Sequence, residues 1–316
     1  MTDSLKPLPW QEQLWLRMTS QIPQGRLPHA LLFAGPRGVG KRHYARALTA
    51  FVLCEARSSF ACGECRSCKQ FAAGQHPNVF HVQRRVDEKT GKEKRDISIE
   101  QVRELGEQLS LSSHYGQAKI ALLDPADALN QNGVNALLKT IEEPPRGSHL
   151  ILVSERPQSL AATLRSRCQC VRFAPPAREQ ALKWLGGGAE SADALDQAMG
   201  APLRAREMIE SGLIGRGRQW AEEMSAIAAQ RRDPLAIAGA IGKDKDDVPQ
   251  FLEWLLTWLT ARLREQLRSG QNVSSIEPMI RETLESRRRI TVNAAPQLVL
   301  ESLLVNWWRL SRSSAV

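Results

Sequence analysis

The spacing of apolar residues divides the chain into two kinds of territory. Up to residue 173, short apolar runs alternate with segments of helical period. The runs "ALLFAG" (30–35), "NVFHVQ" (78–83), "KIALLD" (119–124), "HLILVS" (149–154) and "CVRF" (170–173) read as buried strands. Between them, 41–53, 99–110, 130–142 and 158–165 carry helix-like patterns. In the second of these, Ser98 stands as a cap with Gln101 three residues on, and Val102, Leu105 and Leu109 form the inner stripe. Alternation of strands and helices predicts an α/β unit with a parallel sheet and helices on both faces.

After "APP" (174–176) the pattern becomes purely helical. A small bundle is expected over about 177–213, broken by "GGG" at 186–188, and a third block runs from about 214. That block contains long amphipathic stretches such as "FLEWLLTWLTARLREQL" and "LVLESLLVNWWRL". Trp254, Trp258, Trp307 and Trp308 fit helix packing better than a ligand box.

Length and composition agree with this. The 316 residues, 42% hydrophobic and 24% charged, suggest a globular protein of two or three domains. The opening "MTDSLKPLPW" carries no basic-then-apolar signal pattern. No apolar run approaches the roughly 20 residues that span a bilayer, so a cytoplasmic protein without membrane contact is expected. The formal charge of +9 suits association with a polyanion such as nucleic acid, and equally a generally basic surface. The run "DEKTGKEKRD" (87–96) mixes both signs around Gly91 and is expected to be a solvated hairpin turn.

Chemistry enters at residues 35–42, "GPRGVGKR", between a predicted strand and a predicted helix. This is the context of a phosphate-binding loop. Gly35, Gly38 and Gly40 allow backbone N–H groups to converge on phosphate oxygens, and Lys41 reaches the β- and γ-phosphates. Magnesium in such sites is held by the next hydroxyl and by a carboxylate ending a second strand. Asp124 is the candidate carboxylate, but Arg42 replaces the hydroxyl, and Pro125 stands where a water-polarising glutamate is expected. Asp127 follows two residues later. Two readings stay open here: nucleotide binding without turnover, or a loop kept only as a tight turn.

Four of the six cysteines cluster as Cys54, Cys62, Cys65 and Cys68 in "CEARSSFACGECRSC". Two successive two-residue gaps fold thiolates back onto one ion, and a fourth sulfur from the preceding helix completes a tetrahedron. The competing iron–sulfur run requires a further cysteine at 72, which is Ala72. A structural Zn2+ with no open coordination position is therefore expected. Cys168 and Cys170, beside a strand, are expected to be packing residues.

Three further strings complete a family pattern: "DPADAL" leading into "NALLKTIEEPP" (135–145), "LRSRC" (164–168) after the strand "HLILVS", and the four-cysteine insert after the phosphate loop. Together they closely resemble subunits of the bacterial DNA polymerase III clamp loader. That AAA+ assembly opens a ring-shaped sliding clamp and places it on primed DNA. The resemblance covers essentially the whole chain. It is closest to subunits that combine a degraded nucleotide site with an intact zinc module. It implies an AAA+ base over 1–173, a helical lid over 174–213 and a helical collar over 214–316.

Carried over by motif, the arginine of "SRC" is Arg167, which the resemblance makes an arginine finger acting in trans on a neighbour's ATP and Mg2+. In the lid, "GAPLRARE" places Leu203 where active relatives carry a sensor arginine, with Arg204 beside it. The implied partners are gamma/tau-type ATPase subunits and a delta subunit in a five-membered ring, with the sliding clamp and primer–template DNA. The resemblance implies a mostly non-catalytic subunit of the polymerase holoenzyme, bracing that ring. Two alternatives remain at this point: an ATPase subunit hydrolysing its own ATP, and a zinc-stabilised DNA-binding protein acting alone.

Overall fold

The computed structural model describes residues 5–22, 26–88, 91, 93–111, 118–244, 247–270, 275–292 and 294–313. The chain forms two compact units. One comprises Met1–Trp184 with Ala201–Arg204, the other Leu185–Gly200 with Ala205–Val316.

The first unit is built on five parallel strands: β1 (Ala30–Ala34), β2 (Val79–Val82), β3 (Lys119–Leu123), β4 (Ser148–Ser154) and β5 (Gln169–Arg172), in the order β2-β3-β4-β1-β5. All five coincide with the apolar runs that suggested them. Strands β1 and β3 are buried along their whole length, which is why they read as continuous apolar sequence rather than as an alternation.

The helices of this unit are α1 (Glu12–Thr19), α2 (Lys41–Leu53), α3 (Arg66–Ala72), α4 (Ile99–Ser110), α5 (Gln131–Glu142) and α6 (Ala162–Arg167). They cover both faces of the sheet. Ala30, Leu32 and Ala34 join one core with Val102, Leu105 and Leu109 of α4 and Val134, Leu137 and Ile141 of α5. Phe33, on the opposite face by the period of a strand, packs against Tyr44 of α2 with ring centroids 5.5 Å apart. Tyr44 in turn meets Trp15 of α1 at 5.6 Å.

Helix ends follow their local chemistry. The Ser98–Gln101 capping box forms in both directions at α4. Asn130 caps α5 by accepting from the Gly133 N–H at 2.7 Å. Pro144 then denies Glu143 a helical backbone, and α5 stops at Glu142.

One expected helix differs. Residues 158–165 form a short 3-10 turn at Pro157–Ser159, an extended step at Leu160, and then α6, which begins at Ala162. Leu160 is buried and pulls the chain inward with an extended ψ of 144°, so the helix restarts beyond it and ends on Arg167. Helices α1 and α3 are additions that the apolar pattern did not mark, since both are short and present few inward residues. In the charged run, Val86 and Glu93 pair antiparallel around Gly91, whose φ is +65°; residues 89, 90 and 92 lie outside the described residues.

All of α7 (Arg178–Leu185) but its last residue belongs to the first unit, as do the opening residues of α9 (Pro202–Glu210). The second unit holds α8 (Gly188–Gln197), the rest of α9, α10 (Leu213–Ala228), α11 (Pro234–Ile241), α12 (Asp247–Ser269), α13 (Ile276–Thr291) and α14 (Pro296–Ser313). Its core includes Trp220, Phe251, Leu255, Leu303 and Trp307, with Trp258 and Trp308 packed half-buried against it. The four tryptophans singled out above are packing residues. Trp307 satisfies its indole N–H on the Met224 carbonyl at 2.9 Å. No helix among the described residues is long and apolar enough to cross a membrane.

Candidate functional site

The phosphate loop leaves β1 and feeds α2. Gly35 donates to the Ser154 carbonyl at 3.3 Å, extending the sheet by one bond, and the Gly38 carbonyl accepts from the Leu203 N–H at 3.0 Å. Gly40 adopts φ +94°, and a Cβ there would lie 2.5 Å from Leu8 and 2.7 Å from the Gln11 amide. Only glycine fits that position. The segment carrying Leu203 and Arg204 lies directly on the loop, since a Cβ on Gly38 would meet Arg204 Cβ at 2.5 Å.

Lys41 is almost fully buried. Its ammonium donates to the Gly35 and Pro36 carbonyls, both at 2.7 Å. Burial pulls its pKa below the ordinary lysine value, while the carboxylates of Glu155, Asp124 and Asp127 oppose that shift. Lys41 thus faces its own loop, and a phosphate would compete with two carbonyls for it.

Arg42 does more than remove a hydroxyl. Its Nε lies 2.5 Å from Asp124 Oδ2, so a guanidinium pairs with the carboxylate that would organise a metal. Burial raises the pKa of Asp124, and Arg42 is the strongest opposing influence. Asp124 Oδ1 is buried without a hydrogen-bond partner. One arginine-paired carboxylate without a neighbouring hydroxyl does not fit magnesium, which requires near-octahedral oxygen coordination. Nor is Asp127 free to replace a glutamate. It accepts from Ser154 Oγ (2.7 Å) and from the N–H groups of Glu155 (2.7 Å) and Arg156 (3.3 Å), fixing the chain where β4 ends.

A brace around the loop was invisible in the sequence. Gln11 Nε2 donates to the carbonyls of Val39 (3.2 Å) and Gly40 (3.0 Å), and Trp10 Nε1 also donates to Val39 at 3.0 Å. A lone buried glutamine near a terminus has no pattern that announces such contacts.

The structure brings together the sulfurs of Cys54, Cys62, Cys65 and Cys68 within 4.8 Å of one another, and those of Cys62 and Cys68 lie 3.9 Å apart. Bonds of about 2.3 Å to a tetrahedral zinc place sulfurs about 3.8 Å apart, so the arrangement fits such an ion. Backbone N–H groups already point at the sulfurs: Cys62 to Cys54 (3.3 Å), Cys65 to Cys62 (3.3 Å) and Cys68 to Cys65 (3.4 Å). The hydrogen bond from the Cys65 N–H is the main influence lowering the pKa of Cys62 to about 6. Burial instead pushes Cys54 and Cys68 upward, leaving them to a cation for deprotonation. Ser67, between two of the ligands, meets His76 Nε2 at 2.9 Å, while Asn78 N–H donates to His76 Nδ1 at 3.2 Å. This ties α3 to the start of β2. Cys168 is buried as a packing residue, whereas Cys170 is exposed on the edge strand.

Arg167 is the last residue of α6, between buried Leu164 and buried Cys168. Its side chain is 41% exposed, with Nε 2.7 Å from Glu142 Oε1 and Nη1 donating to the Thr163 carbonyl at 3.1 Å. The anchors on either side fix where the guanidinium emerges.

A five-stranded parallel sheet, a phosphate loop at the end of its β1 and a helical C-terminal part define a P-loop α/β protein of the AAA+ type, as the resemblance implied. Residues 10–177 match the family model described as DNA polymerase III, delta subunit. The DNA polymerase III subunit delta' of Pseudomonas aeruginosa is 31% identical, covering 95% of this chain and 96% of that protein. The chain belongs to the DNA polymerase III delta' subunit family. DNA polymerase III subunit tau of Escherichia coli is 32% identical over 50% of this chain and 23% of its own. A DNA polymerase III gamma subunit-related protein of Thermotoga maritima covers 96% of this chain and 100% of its own at 15% identity, with a TM-score of 0.46.

Proposed function

We propose that this chain works as a delta'-type brace in a cytoplasmic clamp loader and does not turn over ATP at its own loop. Residues 1–173 serve as base, 174–213 as lid and 214–316 as collar in a ring with gamma/tau-type ATPase subunits and a delta subunit. That ring acts on the sliding clamp and primed DNA. One Zn2+ on Cys54, Cys62, Cys65 and Cys68 fixes the insert. In this reading Arg167 is the finger that completes a neighbour's ATP site.

The observation that carries the reading is the ion pair between Arg42 and Asp124. A divalent ion bridging two phosphates concentrates charge on the oxygens that react. A guanidinium held by Asp124 cannot bridge them in that way. Gly35, Gly38, Gly40 and Lys41 retain the means to hold a phosphate weakly, and no hydrolysis follows from it.

The test is ATP turnover by the isolated chain against a Lys41→Ala control. Equal background rates are expected. A magnesium-dependent rate lost in Lys41→Ala would establish the alternative of an ATPase subunit. Tight binding of primed DNA by the isolated chain would instead favour a zinc-stabilised DNA-binding protein.

A further inference from the structure

Glu142 and Arg167 come from different helices and meet with Nε 2.7 Å from Oε1. Resting on the reading of Arg167 as a finger, we propose that Glu142 is a positioning residue that sets the guanidinium plane for a neighbour's triphosphate.

Three observations carry this. First, the contact uses the Nε side of the guanidinium, and the Thr163 carbonyl takes Nη1. A guanidinium carries five N–H donors, and these two contacts use two of them. The plane is gripped from the side of its own helix and of α5, and three donors remain for the oxygens of a phosphate.

Second, Glu142 stands where helix stability alone disfavours it. It is the last residue of α5, with Glu143 beside it, so two carboxylates crowd the negative end of a helix. Lys139 in the same last turn offsets part of this, and Arg167 adds a second cation directly on Glu142. Because both partners are about half exposed, at 41% and 48%, water competes for each charge and the pair does little for the fold. Its consequence is geometric.

Third, the backbone on each side is held. Leu164 and Cys168 are buried around Arg167, and Ile141 is buried beside Glu142. With both backbones fixed, the remaining freedom lies in the long arginine side chain, and Glu142 biases it before assembly. A finger that arrives oriented loses less entropy on reaching the transition state.

The experiment is ATP turnover by the reconstituted loader with clamp and primed DNA, comparing wild type, Glu142→Gln, Arg167→Ala and the double variant, with assembly verified for each. Glu142→Gln keeps the size and an acceptor but removes the charge. The maximal rate at the dependent site should fall about tenfold with KM for ATP little changed, inside the roughly 10²-fold that a misplacement of about 1 Å costs. The double variant should match Arg167→Ala alone, because the carboxylate acts only through that arginine. If Arg167→Ala is impaired while Glu142→Gln runs at the wild-type rate, or if the two losses multiply, Glu142 has no positioning role. If Arg167→Ala itself is unimpaired, the finger reading fails and this inference with it.

Discussion

Arg42 and Asp124 face each other across the mouth of the phosphate loop, Nε to Oδ2 at 2.5 Å. The substitution that removes a metal-binding hydroxyl also supplies a cation to the carboxylate left behind. Burial raises the Asp124 pKa, and Arg42 holds it down. Replacing Arg42 by Gln should therefore raise it further.

The sign of the stability effect follows from that shift. A carboxyl whose folded pKa lies above its unfolded value stabilises the fold at low pH, and that contribution is lost as pH rises through the folded pKa. Wild type and Arg42→Gln should respond alike to pH up to the raised Asp124 pKa of wild type. Above it Arg42→Gln should lose stability relative to wild type, levelling off beyond its own higher pKa. Denaturant unfolding across that range is the measurement; a difference independent of pH would mean that the pair is not coupled to Asp124 ionisation.

The loop brace yields a second expectation. Gln11→Ala removes donors to the Val39 and Gly40 carbonyls and the acceptor for the Leu8 N–H. Leaving buried partners unsatisfied costs about 1–3 kcal/mol. Hydrogen exchange should quicken in residues 36–40, with α4 and α5 unaffected. Unchanged protection there would show that Trp10 and Leu8 suffice.

The zinc assignment is tested by composition. Purified chain should carry one zinc and negligible iron, and Cys68→Ser should lose the metal and the order of the insert around Phe71 and Ala61. A visible charge-transfer band with iron in the protein would overturn the assignment.

Much of this was legible because the central strands of the sheet are buried on both faces, so they announce themselves as apolar runs. Cys54, Cys62, Cys65 and Cys68 were equally legible, since their spacing leaves few ways to fold. The break at Leu160 was not, because a buried leucine looks the same in a helix and in an extended step. Neither was the role of Gln11, or the company Arg42 keeps. Both depend on contacts between segments far apart in sequence, and no local pattern encodes them.

Leu164 is fully buried under α6, and its truncation probes how Arg167 is mounted. Leu164→Ala should destabilise the chain by about 2–5 kcal/mol, as for other buried leucines. Partner-site turnover should fall as well, even at temperatures where the chain remains folded. Full turnover with the expected loss of stability would indicate that the mounting of Arg167 does not depend on this anchor.

The central claim is that this chain serves ATP hydrolysis through Arg167 and not through its own loop. Its most direct test is one assay of the reconstituted complex, stimulated by clamp and primed DNA, with Lys41→Ala and Arg167→Ala side by side. Arginine fingers contribute roughly 10³–10⁵ in rate at the site they serve, so the whole complex should lose a clear fraction of its turnover with Arg167→Ala. It should lose almost nothing with Lys41→Ala. The reverse pattern, Lys41→Ala crippled and Arg167→Ala normal, would contradict the account.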